Sequence, residues 1–414
     1  NFEIFKKKLL NKKIKELIFC SKKSLSILMQ HIDFFISNKI KIVQASTNYE
    51  IENHGFIIRK PFKDFSFDEL FLRKTLKINF SSISKILKNK KILITGGAGT
   101  IGSFLVKSLI KFNINKIYIV DNNEHNVFKI INELEENRSF KKIKFKILNI
   151  ENFDILDSYL KYIKPDIVFH TAALKHVNFL EDNISQAIKT NVIGTENILN
   201  SSYISSIKYF VHISTDKAAD PKNVLGITKL ISEIKCQKFS NRKKMKIAIV
   251  RFGNVFNSNG SVAEKFRSKL LKVKKIIITD PRATRYFMSG DEAANLIISA
   301  LEIIFKSRNN HPRTFVCDMG SPIKIEELAK KMIFLSGRST KKYLSKYYSG
   351  LNSGEKKEEV LISKNEKIIN IFNNKIQKIK KNKSFKNILD MDFNKYTNGN
   401  NQKIIKNKLK KMFF

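Results

Sequence analysis

"KILITGGAGTIGSFLVKSLI", residues 91–110, reads as a strand, a glycine turn and a helix. Gly96, Gly99 and Gly102 stand at GxxGxxG spacing between an apolar strand and an apolar helical repeat. The first glycine lets the chain turn sharply, the second lets the backbone approach a pyrophosphate, and the third lets helix pack on strand. The amino end of the helix, at Thr100, Ile101 and Gly102, offers unpaired N–H groups and a positive dipole to phosphates. "KIYIVD" follows and ends in Asp121, about twenty residues beyond the last glycine. A carboxylate there accepts hydrogen bonds from an adenosine ribose and repels a 2′-phosphate. A glycine triplet alone is a weak signal; in this strand–turn–helix setting it predicts dinucleotide binding. NAD is favoured over NADP, because Asn122 and Asn123 bring no positive charge.

Outward from that stretch the pattern stays regular. "KILIT", "KIYIV", "FKILNI", "DIVFHTA", "YFVHIS" and "KIAIVRF" read as strands separated by helix-period segments. Continuous apolar strands alternating with helices indicate a parallel sheet covered on both faces. The expected fold class is α/β: a Rossmann-type doubly wound parallel sheet, with a smaller C-terminal substrate-binding region and a partial N-terminal α/β unit. The expected boundaries are 1–60 for the remnant of an N-terminal α/β domain, 61–90 for a linker and short helix, 91–275 for the dinucleotide-binding core, and 276–360 for the substrate-binding region. Residues 361–414 read as a Lys/Asn-rich tail, with weak helical periodicity in "EKIINIFNNKIQKIKK". In the N-terminal piece, "IKELIFCS", "LSILMQHIDFFISN" and "KIKIVQA" read as strand, helix and strand.

At 414 residues and 42% hydrophobic, the chain can bury one large core or two modest ones. A formal charge of +41 ordinarily points to nucleic acid or an anionic membrane. Here the charge is mostly lysine scattered along the chain, accompanied by heavy use of Asn, Ile and Phe and no Trp. That looks like AT-rich coding bias, and no aromatic-basic or groove-reading motif supports a nucleic-acid partner. Cys20, Cys236 and Cys317 form no CxxC or Cys/His cluster, so neither a disulfide framework nor a metal site is expected. No apolar run reaches the roughly 18–20 residues of a membrane span. A reducing, cytoplasmic setting is expected.

With the dinucleotide site in place, further stretches become recognisable in order: "TGGAGTIGS", "VFHTAALKHV", "TNVIGTENIL", "STDKAADPKNVLGITK", "RFGNVFNSNGSV", "TRYFM", "DMGSPIKIEELAKKMI" and "GLNSGEKKEEV". From about Phe65 to Glu359 the chain resembles the extended short-chain dehydrogenases of the polysaccharide-biosynthesis type, and more narrowly the UDP-N-acetylglucosamine 4,6-dehydratases. Larger members of that family carry membrane helices and a further α/β domain, and residues 1–60 are similar to the end of that domain. The resemblance therefore implies a long-form enzyme lacking its anchor, placed at the inner face of the membrane only if such an anchor precedes it. It also implies a homo-oligomer, dimer or hexamer.

The reaction implied is an internal redox elimination on a UDP-sugar. Hydride leaves carbon 4 for NAD, the ketone acidifies carbon 5, water is lost across carbons 5 and 6, and hydride returns to carbon 6. The resemblance implies Asp216 as general acid at carbon 6, Lys217 as base at carbon 5, and Lys229 as a ligand of the nicotinamide ribose. The plain alternative for Asp216 and Lys217 is a loop-end ion pair. Two readings stand for Thr215: a contact for the carbon 4 hydroxyl, or a hydroxyl that caps the backbone. Leu225 occupies the position of a tyrosine in many relatives; relatives resembling the retaining dehydratases carry methionine there, which implies retention at carbon 5.

Position by position, the resemblance adds cofactor contacts at Asn149, Ala172, Ala173 and Asn191, and UDP contacts at Lys175, Asn254, Arg285 and Glu355. Lys175 and Arg285 suit a diphosphate and Glu355 suits ribose hydroxyls; for each cation taken singly, a surface ion pair is the plain alternative. The chain departs from the family pattern at Asn149 (aspartate in many relatives), at Asn178 (proline) and at Asn352-Ser353 (arginine-proline). Loss of that arginine removes a diphosphate contact. Two other functions fit the same motifs: a UDP-sugar 4-epimerase, and a degenerate nucleotide-sugar or NAD-binding protein with little activity.

Overall fold

Ile92 and Ile94 pack on one face of a central sheet and Leu93 on the other. This alternation, repeated from strand to strand, builds two apolar layers around one sheet. The computed structural model describes residues 2–19, 27–28, 30–38, 40–44, 71, 76–240, 245–336, 338–372, 375–381, 388, 391–397 and 402–412. The described chain divides into two units. The first is Asn1–Lys74, Asn259–Arg285 and Ile323–Leu351; the second is Thr75–Ser258, Tyr286–Pro322 and Asn352–Phe414.

The second unit holds a nine-stranded sheet. Its strands in chain order are β1 (Lys91–Thr95), β2 (Lys116–Asp121), β3 (Ile143–Ile147), β4 (Ile167–His170), β5 (Tyr209–Ile213), β6 (Lys246–Arg251), β7 (Arg313–Cys317), β8 (Glu366–Phe372) and β9 (Ile376–Lys381). Across the sheet they run β8-β9-β7-β6-β5-β4-β1-β2-β3. β1 to β7 are parallel, and β8 and β9 join antiparallel beside β7. The order reverses between β1 and β4, so the loops leaving those two strands form the crevice where doubly wound sheets take ligands.

Helices α1 (Thr100–Leu109), α2 (Glu124–Leu134), α3 (Phe153–Ile163), α4 (Gly194–Ile204), α5 (Val224–Ser240) and α6 (Gly290–Lys306) cover the sheet. α1, α2 and α6 share a core with Ile92, Ile119, Phe169 and Val250. α3, α4 and α5 share the other with Leu93, Val120, Phe210 and Ile249. The doubly wound parallel sheet expected from the strand pattern is the observed one.

In the first unit, strands Glu16–Phe19 and Lys41–Gln44 pair in parallel, with helix Ile32–Ser37 between them in sequence. Leu9, Phe35 and Ile40 pack with Phe334 of helix Ile325–Leu335. The boundaries differ from the expected ones here. Residues 276–285 and 323–351 share a unit with the N-terminal piece, while 286–322 supply α6 and β7 to the large sheet. The reason is that β6 needs a parallel neighbour on its open side, and β7 provides it. Residues 61–70 and 72–75 of the expected 61–90 linker, including "FSFDELFLRK" apart from Phe71, lie outside the described residues, as does Cys20; Phe80–Leu87 form a helix capped by Asn79.

The expected tail is a second difference. "EKIINIF" and "IQKIKK" form the β8–β9 hairpin, with Ile376 and Ile379 fully or almost fully buried against the sheet. β-branched residues at spacing two or three fit strand as well as helix, and pairing with β7 decides it. Farther on, Ile388, Phe393, Ile405 and Leu409 join a cluster with Leu180, Ile184 and Ile231. Among the described residues no helix is long and apolar enough to cross a membrane.

Arg251, at the end of β6, is completely buried. Its Nε and Nη2 donate to the two oxygens of Glu233 on α5 at 2.6 and 2.7 Å, and its Nη1 donates to Glu366 of β8 at 2.9 Å. Burial opposes its charge, but the two carboxylates outweigh that and hold its pKa above the ordinary arginine value. Breaking a buried ion pair from one side costs about 3–5 kcal/mol. Arg251→Leu should lower the unfolding free energy by about that much, measured as a shift of the denaturant midpoint; an unchanged midpoint would count against the buried network.

Candidate functional site

The glycine turn follows β1. Gly96 adopts φ +66°, and its N–H donates to the Val120 carbonyl at 2.7 Å. A Cβ at Gly96 would lie 2.6 Å from the backbone of Ala172, and one at Gly102 would lie 2.4 Å from the Gly96 carbonyl. Neither position admits a side chain, so loop, helix and the β4 exit stay close. Gly99 is the N-cap of α1, and no side chain caps that helix. The starts of α2 and α3, by contrast, are capped by Asn123 and Asn152. Thr100, Ile101 and Gly102 thus form a first turn that follows a glycine N-cap, the arrangement that suits a phosphate. Asp121 closes β2; its carboxylate accepts from the N–H groups of Ala98 at 3.1 Å and Asn123 at 3.0 Å. It therefore fastens the glycine loop to the end of β2. The donors and backbone shape present fit a dinucleotide.

The loop leaving β4 holds Ala172, Ala173 and Lys175. Asn191 is fully buried. Its Oδ1 accepts from the Leu174 N–H at 2.8 Å, and its Nδ2 donates to the Leu174 carbonyl and to the Thr228 hydroxyl. Asn191 thus pins this loop to α5, a positioning contact that the resemblance alone does not reveal. Asn149 is exposed, and its Oδ1 accepts from the Glu151 N–H at 3.0 Å.

Thr215, Asp216 and Lys217 follow β5, where the chain makes a short 3-10 turn. The Thr215 hydroxyl caps that turn and also donates to Asp216 Oδ1 at 2.8 Å. The Asp216 carboxylate has no exposed surface; Lys217 Nζ lies 3.0 Å from its Oδ1 and 3.5 Å from Asn254 Oδ1. Asp216 Oδ2 is buried without a hydrogen-bond partner among the described residues. An ion pair this enclosed is weakly screened, unlike a solvated loop-end pair. Leu225, on the first turn of α5, is buried with Leu180, Val224 and Ile227.

Of the remaining substrate candidates, Asn254 and Glu355 belong to the same unit as this turn, as does the exposed Lys175. The Glu355 carboxylate accepts from the N–H of Asn352 at 3.2 Å and from its side-chain amide at 3.0 Å. The asparagine standing in place of the family arginine therefore orients Glu355. Arg285 belongs to the other unit, where it is buried and donates to the Thr284 carbonyl at 2.7 Å. Among the described residues no group of His, Cys, Asp and Glu could hold a metal ion. Sequence reasoning missed Glu359, whose side chain is 2% exposed and lies 3.7 Å from Lys217 Nζ. Its signal lies in "GEKKEEV", four residues beyond Glu355.

Lys229 is buried on α5, and burial pushes its ammonium down to about 8, against the pull of Cys236 and Glu233. Burial, aided by the Lys229 charge, takes His170 down to about 3 and His212 well below its ordinary range. His170 is held between the hydroxyls of Thr95 at 2.7 Å and Thr195 at 2.9 Å. The two rings stack at 5.3 Å, and neither nitrogen of His212 has a hydrogen-bond partner among the described residues. Each imidazole is neutral when folded and takes a proton on unfolding below pH 6.5. Their contribution is complete above that pH and is lost as pH falls, towards about 3 for His170. The Lys229 penalty is complete below about pH 8 and lifts between 8 and 10.5. His212→Leu should flatten the acid limb of the stability–pH curve and Lys229→Met should remove the alkaline rise, both read by denaturation across pH; parallel wild-type and variant curves would contradict the assignments.

Residues 92–381 match the family described as polysaccharide biosynthesis protein. The chain is 37% identical over 306 residues to the probable polysaccharide biosynthesis protein EpsC of Bacillus subtilis, covering 73% of this chain and 50% of that protein. It is 32% identical to a UDP-glucose 4-epimerase of Rickettsia bellii and 30% identical to a UDP-N-acetylglucosamine 4,6-dehydratase (inverting) of Campylobacter jejuni. Each of these alignments covers 67% of this chain and 79% of the relative. The solved structure of Pen from Bacillus thuringiensis is similar at 32% identity and a TM-score of 0.59, covering 67% of this chain and 83% of that one. The chain spans about half the length of the first of these relatives. With the glycine cradle, the doubly wound sheet and a match from β1 to β9, the chain belongs to the polysaccharide biosynthesis family of extended short-chain dehydrogenases.

Proposed function

We propose that this chain carries the catalytic part of an NAD-dependent nucleotide-sugar 4,6-dehydratase that converts UDP-N-acetylglucosamine to the UDP-4-keto-6-deoxy sugar for polysaccharide or glycan synthesis. The observation that carries the reading is the enclosed Asp216–Lys217 pair at the carboxyl end of β5, with one carboxylate oxygen unpartnered among the described residues. Elimination needs a base and an acid on neighbouring carbons, and consecutive residues on one turn supply both. An epimerase has no such requirement at carbons 5 and 6.

The cofactor in the glycine cradle supplies the hydride acceptor for carbon 4 and the hydride donor for carbon 6. Lys217 as the free amine takes the carbon 5 proton, made acidic by the carbon 4 ketone. Asp216 gives its proton, held at a carboxylate oxygen, to the hydroxyl leaving carbon 6 as water. Carbon 5 is then reprotonated, so atoms and charges balance with one water lost. Thr215 contacts the carbon 4 hydroxyl and passes its proton to the adjoining Asp216 carboxylate, to which it already donates. Glu355, oriented by Asn352, takes ribose hydroxyls of the nucleotide, and Lys175 meets the diphosphate. Lys229 holds the nicotinamide ribose.

Incubation of the purified protein with UDP-N-acetylglucosamine and NAD should give a product lighter by one water; an unchanged mass with altered sugar stereochemistry would instead indicate epimerisation and overturn the reading. Asp216→Asn and Lys217→Ala should each reduce turnover by about 10²–10⁴-fold, the range for loss of a positioned acid or base. With Leu225 in place of tyrosine, the product should retain configuration at carbon 5, which proton NMR of the keto sugar reads directly.

A further inference from the structure

Glu359 lies on the same short stretch as Glu355, four residues farther along. Its Oε1 is 3.7 Å from Lys217 Nζ and its Oε2 is 3.9 Å from Lys356 Nζ. Lys356 in turn donates to the Asp220 carboxylate at 3.0 Å and to the Asp220 carbonyl. Asp220 sits just beyond the turn that carries Asp216. Charges therefore alternate along a chain: Asp216, Lys217, Glu359, Lys356, Asp220. The lysine side chains are 13% and 12% exposed and the Glu359 side chain 2%, so solvent screens the inner pairs weakly.

We propose that Glu359 is a positioning residue that holds the Lys217 amine and sets its charge, linking the stretch that bears Glu355 to the proton-transfer pair. The proposal rests on the dehydratase reading for its function, though the pairing itself does not. Lys217 faces Asp216 from its own turn, neutral Asn254 from the segment after β6, and Glu359 from the 352–360 stretch, with Lys356 beyond. Two anions favour the ammonium, whereas a base must shed its proton. Lys356 moderates this, because it shares Glu359 and its own charge opposes that of Lys217. A movement of the 354–359 stretch on nucleotide binding would therefore change the basicity of Lys217.

Competitive acetylation of the whole protein with acetic anhydride across pH, followed by peptide-resolved mass spectrometry at Lys217, reads this directly. Glu359→Gln should lower the pH of half-reaction at Lys217 by about one unit, the scale of one nearby opposite charge. Glu359→Asp should lower it by less. Lys356→Met should move it upwards, since a like charge is removed. An unchanged Lys217 titration in Glu359→Gln overturns the proposal, as do shifts of the same sign in Glu359→Gln and Lys356→Met, which would mark a general loosening. Should Glu359→Gln fail to fold, the opposed shifts of Glu359→Asp and Lys356→Met decide the matter. The acid limb of the turnover–pH profile should follow the same shifts. Labelling shifts as stated, in a protein that forms no keto sugar, would overturn the dehydratase reading and leave the pairing intact.

Discussion

The forked contact between Arg251 and Glu233 is the constraint on which the rest of the second unit depends. Both side chains are completely buried, so each would carry a large desolvation cost if the other were displaced. Glu233 also accepts from the Ser214 hydroxyl at 2.6 Å, one residue before Thr215. It lies one helical turn beyond Lys229 and raises that lysine's affinity for a proton. A single carboxylate thus registers the end of β5, the end of β6 and the helix that bears Lys229. Through Arg251 it also holds Glu366, and with it the hairpin that closes the sheet.

The arrangement has consequences for charge in the site. Lys229 is kept in a region of low polarity together with His170 and His212, and the histidines yield by remaining neutral. Two neutral rings can stack where two imidazolium ions would repel. One turn before Lys229 on α5, Leu225 is buried in an apolar cluster that also includes residues of the C-terminal segment. A leucine at this position brings no polar group that would need a partner in the apolar cluster.

Much of this was legible in the sequence. The 91–110 stretch, Asp121 and the strand series from "KILIT" to "KIAIVRF" form the elements their patterns indicate. The hairpin at 366–381 was not legible, because isoleucine spacing in a lysine-rich background serves either structure until a sheet edge is offered. Ile388, Phe393, Ile405 and Leu409 are too sparse to announce a core, and their partners lie two hundred residues earlier, on order of magnitude. Asn191 carried a family role in the sequence, and its burial shows what it holds.

By itself the sequence determined the layered sheet, the glycine cradle and the turn that joins Thr215, Asp216 and Lys217, because periodicity and turn chemistry act within a few neighbouring residues. Tertiary structure alone decided which charges meet: Glu359 with Lys217, Lys356 with Asp220, and Arg251 with Glu233 and Glu366. Charges interact through space, and burial multiplies their strength. Neither distance nor burial is written in the order of the chain.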